Sequence, residues 1–111
     1  MVAIAYDAEL IEQILCERAR YYTAKDNCRA LMAFDREHGQ FLLIDEGWDG
    51  YRRIHQVRIH VELRNCKVWI HVDGTEEGIA SLLVAAGIPC DDIVLAFHAP
   101  NQRKATEFVT A

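Results

Sequence analysis

The sequence predicts a small α+β domain: an N-terminal helix, a four-stranded antiparallel β-meander, a second helix, and a short C-terminal strand followed by a helical turn. Three observations carry this expectation. The 111 residues, 51% hydrophobic and 26% charged, have the balance of one globular domain with one core, so residues 1–111 are taken as a single domain. Helical periodicity occurs twice, near the start and after residue 75. Between these stretches, residues 28–73 form β-prone runs separated by tight-turn residues.

The first helix is predicted over about 7–23, because Ile11, Ile14, Leu15, Ala19 and Tyr22 recur at helical spacing. Glu9, Glu12, Glu17 and Arg20 occupy its other faces, and Asp7 can cap its start. Residues 29–36 and 40–48 then read as strands separated by Glu37-His38-Gly39. That loop holds two or three residues, so the register of the first strand stays open. Asp49-Gly50 is a strong two-residue hairpin signal, residues 51–64 form a long strand, and Asn65-Cys66 turns into 67–72. Asn suits the left-handed backbone of such a turn; Cys66 suits it less well than glycine.

Closing the last hairpin at Asn65-Cys66 pairs Leu63 with Val68, Val61 with Ile70 and Ile59 with Val72, six aliphatic residues that define a core face. The opposite face then pairs Glu62 with Trp69, His60 with His71 and Arg58 with Asp73. Closing the preceding hairpin at Asp49-Gly50 places Leu42, Ile44, His55 and Val57 on the core side. It leaves Phe41, Leu43 and Ile54 on the outer face with Trp69. For the second helix, Asp73-Gly74-Thr75 supply caps and Glu76 and Glu77 complement the helix dipole. Ile79, Leu82, Leu83 and Ala86 form its apolar stripe; Gly87, Ile88 and Pro89 end it. Residues 93–97 read as a short buried strand, and the tail from about Asn101 as a last helical turn that docks Phe108.

Composition narrows the function classes. A net charge of −5 argues against a protein that wraps nucleic acid by bulk charge. The charge is uneven, however: residues 51–67 carry Arg52, Arg53, Arg58, Arg64 and Lys67 against Glu62 alone. No apolar run is long enough to span a bilayer and the N-terminus lacks a basic segment, so a cytoplasmic location is expected. Cys16, Cys28, Cys66 and Cys90 show no CxxC spacing and read as free thiols.

No catalytic residues are assigned. None of the three lysines follows an acid at the (D/E)xK spacing of one large nuclease class, and there is no GxSxG, P-loop or GxGxxG. No metal site and no cofactor are assigned either. His60 and His71, facing each other across two strands, are the one alternative for a metal-binding protein or an unrecognised enzyme. The stronger lead is the outer sheet face, where Phe41, Leu43, Ile54, Arg58, His60, Trp69 and His71 form a candidate partner-binding surface. A second copy of the chain, giving a homodimer, is a possible occupant of the same face. The competing reading has Arg52, Arg58, Arg64 and Lys67 contacting nucleic acid directly.

Several motifs also carry a family resemblance. These are GWDG at 47–50 followed by YRRIH, VWIHVDGTEEGIA at 68–80, AGIP at 86–89, DIVLAFHAP at 92–100 and RKATEF at 103–108. In this order they resemble the XisI family, the fdxN element excision controlling factors. The resemblance implies a non-enzymatic accessory role in site-specific DNA rearrangement. In that setting a separate recombinase excises an element from the chromosome of nitrogen-fixing photosynthetic bacteria, and XisI-like proteins control the event together with XisH-like partners. It therefore implies a XisH-like partner, and contact with DNA that is indirect or weak. No catalytic residues are defined for the family, so none transfer.

Overall fold

The structure, a computed structural model, describes residues 2–22, 28–75 and 78–98. Its elements run α1 (Val2–Tyr22), β1 (Cys28–Asp35), β2 (Gln40–Asp49), β3 (Arg52–Arg64), β4 (Lys67–Asp73), α2 (Ile79–Ala85), a 3-10 turn (Cys90–Asp92) and β5 (Ile93–Leu95). The strands form one sheet in the order β1-β2-β3-β4-β5. The first four make the expected antiparallel meander, and β5 joins β4 in parallel after the crossover through α2. Glu76, Glu77 and the tail with Phe108 lie outside the described residues.

Both helices pack on one face of the sheet. Ile11, Leu15 and Ala19 of α1 and Ile79 and Leu83 of α2 meet Phe41, Leu43, Ile59, Val61, Val68, Ile70, Ile93 and Leu95 in one core. Burying a side chain of this size fully contributes about 1.5–3 kcal/mol, so this layer dominates the stability. Glu12 fastens α1 to the β1–β2 turn, accepting two bonds from Arg36 at 2.7 and 2.8 Å. The Arg36 bond holds the Glu12 carboxyl below its ordinary pKa against the opposing effect of burial.

Turn chemistry follows the sequence closely at three points. Asn65 and Cys66 both adopt positive φ, at 55° and 60°, the requirement of a type I′ hairpin. The Asp73 carboxylate accepts bonds from the Thr75 N–H and hydroxyl and, at 2.8 Å, from the Ile79 N–H, so it caps α2 from six residues upstream. At the other end of α2, Ile88 N–H reaches the Leu83 carbonyl and Gly87 N–H the Val84 carbonyl, the paired bonds of a Schellman cap with Gly87 at positive φ.

Two β-bulges correct the expected register. Along the β2–β3 pair the register shifts between Leu43 and Ile44, leaving Arg58 as the extra residue of β3. An inserted residue reverses the sides on which subsequent residues fall. Phe41 and Leu43 therefore pair with Val61 and Ile59 and point into the core, both 0% exposed, rather than onto the outer face. Ile54, opposite buried Gly47, also moves to the helix side, while Leu42, Ile44, His55 and Val57 take the outer face. A second shift, between His60 and Val61, leaves His71 as the extra residue of β4. Val72 then stands opposite His60 instead of Ile59, and Asp73 turns to the helix side where it caps α2. The hairpin between β2 and β3 is also one residue later than expected: Asp49 pairs with Arg52, so Gly50 and Tyr51 form the turn. Gly50 alone has positive φ there.

Candidate partner-binding face

The outer face is assembled from alternate residues of the meander. One row crosses the sheet as Leu31, Ile44 and Val57; the next as Ala33, Leu42 and His60; a third as Asp35, Gln40, Glu62 and Trp69. Leu31, Leu42 and Ile44 are half-buried, Val57 is exposed, and Trp48 at the end of β2 is 51% exposed. Among the described residues no helix packs on this side, since both helices belong to the single core opposite.

Paired charges frame this apolar centre. At one end Glu46 binds both Arg29 and Arg53, and Arg53 lies over the Trp48 ring at 5.3 Å. The bond from Arg29, followed by that from Arg53, holds the Glu46 carboxyl below its usual range. At the other end His60 Nε2 meets Gln40 Oε1 at 2.7 Å and His71 Nε2 meets Glu62 Oε1 at 2.8 Å. The two imidazole rings lie 4.8 Å apart. Burial, then the neighbouring His71, pushes the His60 pKa down. Burial pushes the Glu62 carboxyl up, but the bonds from His71 and Gln40 and the nearby Arg64 outweigh it, so it ends lowered. Arg64 covers the Trp69 ring at 3.8 Å, and the Trp69 indole N–H donates to the Arg64 carbonyl. A face of this kind has a desolvatable aromatic and aliphatic centre and a rim whose charges are already matched.

Of the seven residues expected to form the partner surface, His60, Trp69 and His71 come together here. Phe41, Leu43 and Ile54 fall on the helix side, as the bulge requires. Arg58 is the bulge residue itself: its Nε donates to the buried Asp45 carboxylate at 2.5 Å and its Nη1 to the Gly74 carbonyl at 3.1 Å. The sequence reading missed Trp48, Val57, Leu42 and Ile44; Trp48, one residue before the Asp49-Gly50 turn signal, was visible as an unassigned large aromatic.

The basic residues do not merge into one stripe. Arg52 and Arg64 lie at opposite ends of β3, about 40 Å apart at strand rise. Arg52 stands against Asp49 at 3.5 Å, Arg58 against Asp45, and Arg64 within 3.9 Å of Glu62. Lys67 pairs with Arg64 across the hairpin end. Among the described residues the one trio with three potential metal-ligand atoms in reach is Asp35, Glu37 and His38, all exposed in the β1–β2 turn. There the Asp35 carboxylate already serves the turn, receiving the His38 N–H at 3.2 Å and its Nδ1 at 2.7 Å. The His60–His71 pair is not joined by a third such group. A surface hollow of about 580 Å³ between α1 and β1 is lined by Glu9, Glu12, Cys16, Arg20, Phe34 and Arg36. Its Glu12 is already engaged by Arg36. Among the described residues no helix is long and apolar enough to cross a membrane.

Comparison with known proteins agrees with this architecture. A search of curated proteins finds no match. Among solved structures, a XisI-like protein from Anabaena variabilis ATCC 29413 is 28% identical, with a TM-score of 0.89 over 97% of this chain and 99% of that one. The fdxN element excision controlling factor XisI from the same organism is 30% identical, with a TM-score of 0.82 over 98% of this chain and 99% of that one. The family model described as XisI protein matches residues 1–110, and the chain belongs to the XisI family.

Proposed function

We propose that this protein is a non-enzymatic accessory factor in the controlled excision of a DNA element, and that it acts by presenting the outer face of its sheet to a XisH-like partner. Support for the excision role comes from family membership and from similarity to a fdxN element excision controlling factor. The observation that carries the mode of action is the face itself: Leu31, Leu42, Ile44 and Val57 form an apolar centre that neither helix packs against, and the exposed Trp48 stands beyond Glu46 at its end. Trp and Arg are enriched at interface hot spots, and here Trp48 and Trp69 are each braced by an arginine. Side chains held in place before binding limit the entropy lost on binding.

The test is excision frequency in cells carrying the recombinase and the XisH-like partner. Replacing the chromosomal copy with Trp48→Glu should lower excision as far as deleting the gene does, with protein levels unchanged. Normal excision with the folded variant would overturn the assignment of this face.

A further inference from the structure

We propose that β1 is a self-complementary edge, and that two copies of this chain join through it into one continuous antiparallel sheet. An edge strand exposes unpaired backbone groups, and monomeric proteins blunt such edges with charge, proline, bulges or short length. Among the described residues β1 and β5 are the two edges of the sheet, and β5 is three residues long. By contrast β1 runs for eight residues, Cys28–Asp35, and its interior Ala30–Phe34 holds no charge and no proline. It is regular throughout, pairing residue for residue with β2. Met32 at its centre is 44% exposed.

The register of the proposed pairing follows from the ladder. The Gly39 carbonyl accepts from Leu63 N–H, and Phe41 faces Val61. Alternation then directs the backbone groups of Phe41 to β3 and those of Gln40 to β1. Asp35 is the partner of Gln40, so Asp35, Ala33 and Leu31 bond inward to β2, while Phe34, Met32 and Ala30 present theirs to the edge. A two-fold axis at Met32 satisfies all of these together. It sets Met32 against its own copy and Ala30 against the second copy's Phe34, making roughly six interchain hydrogen bonds.

The side chains agree with the same axis. On the outer face it brings Arg29, which also serves Glu46, opposite Asp35, which also serves His38, twice over, an opposite-charge cross-strand pair from groups 67% and 52% exposed. Leu31 then lies beside Ala33 on that face. Shifting the axis by two residues loses the Arg29–Asp35 match and shortens the overlap. An axis perpendicular to the sheet also places both outer faces on the same side, so the dimer offers two partner-binding patches in one surface.

Light scattering after size exclusion, at about 100 µM protein with reductant to suppress disulfides through exposed Cys66, tests this. The wild type should be a dimer. Met32→Lys and Met32→Glu, which set like charges against each other across the axis, should each be folded monomers by circular dichroism. An equimolar mixture of the two should recover dimer. A monomeric wild type overturns the proposal, as does a dimer that persists in Met32→Lys or a mixture that stays monomeric.

Discussion

Removing either partner of the Asp45–Arg58 pair should cost more than any exposed ion pair in this protein, and the structure sets the size. Asp45 lies on the helix side with its side chain 8% exposed, and Arg58 is 24% exposed. Cutting one member of a fully buried pair costs about 3–5 kcal/mol, because the other is left charged and unpaired. Asp45→Asn leaves Arg58 partly solvated and still bonded to the Gly74 carbonyl, so about 2 kcal/mol is expected. Arg58→Met leaves the more deeply buried carboxylate and also frees the loop that delivers Asp73 to α2, so about 3 kcal/mol is expected. The double variant Asp45→Leu/Arg58→Met removes both charges and should lose less than the two single costs combined, by about 1.5 kcal/mol or more. Urea unfolding reads this directly: with a slope of about 1.5 kcal/mol/M, Asp45→Asn should move the midpoint down by about 1.3 M. A loss below about 1 kcal/mol in Arg58→Met, or strict additivity in the double variant, would refute the reasoning that the bulge exists to bury this pair.

The remaining predictions concern the turns and the histidine pair. Gly39→Ala should destabilise by about 2 kcal/mol or more, since φ is +67° and a Cβ would stand 2.5 Å from the Leu63 carbonyl oxygen. Gly50→Ala, also at positive φ but with nothing within 4 Å, should cost only about 1 kcal/mol by the same denaturation assay. His60 is held below its ordinary pKa of 6.5, so the unfolded chain takes up its proton first as pH falls. Its contribution is therefore complete above 6.5 and lost as pH drops through the folded value, while Glu62, lowered from 4.5, adds a second loss only below that. Unfolding midpoints measured between about pH 7.5 and 5 should decline in the wild type and be flatter in His60→Gln.

Much of this fold is legible in the residues, and the exceptions share one cause. The α1 stripe, the Asn65-Cys66 turn, the Asp73 cap and the Gly87–Ile88 helix end are local devices, each written within a few adjacent positions. The faces of β2 depend instead on carrying alternation through the whole of β3. Arg58 interrupts that alternation, and neither glycine nor proline marks the place. The bulge is decided by long-range chemistry: Arg58 finds Asp45 on β2 and the carbonyl of Gly74 beyond β4. For the same reason unbroken alternation puts Phe41 and Leu43 on the outer face although they are core, whereas it places Trp69, His60 and His71, near the Asn65-Cys66 hairpin, on the face they occupy. The charge excess over residues 51–67 is real in sequence, but its neutralisation by Asp45, Glu46 and Asp49 of β2 depends on the pairing.

The central claim is that the open face around Trp48 binds a XisH-like partner. A calorimetric titration of the purified partner into wild type, Trp48→Glu/Val57→Glu, and the control Val84→Glu, at an exposed position of α2, tests it most directly. The account predicts that the double variant binds about 100-fold more weakly or not at all, while Val84→Glu stays within about twofold of wild type. Undiminished binding by a folded Trp48→Glu/Val57→Glu protein, or a selective loss in Val84→Glu, would contradict it.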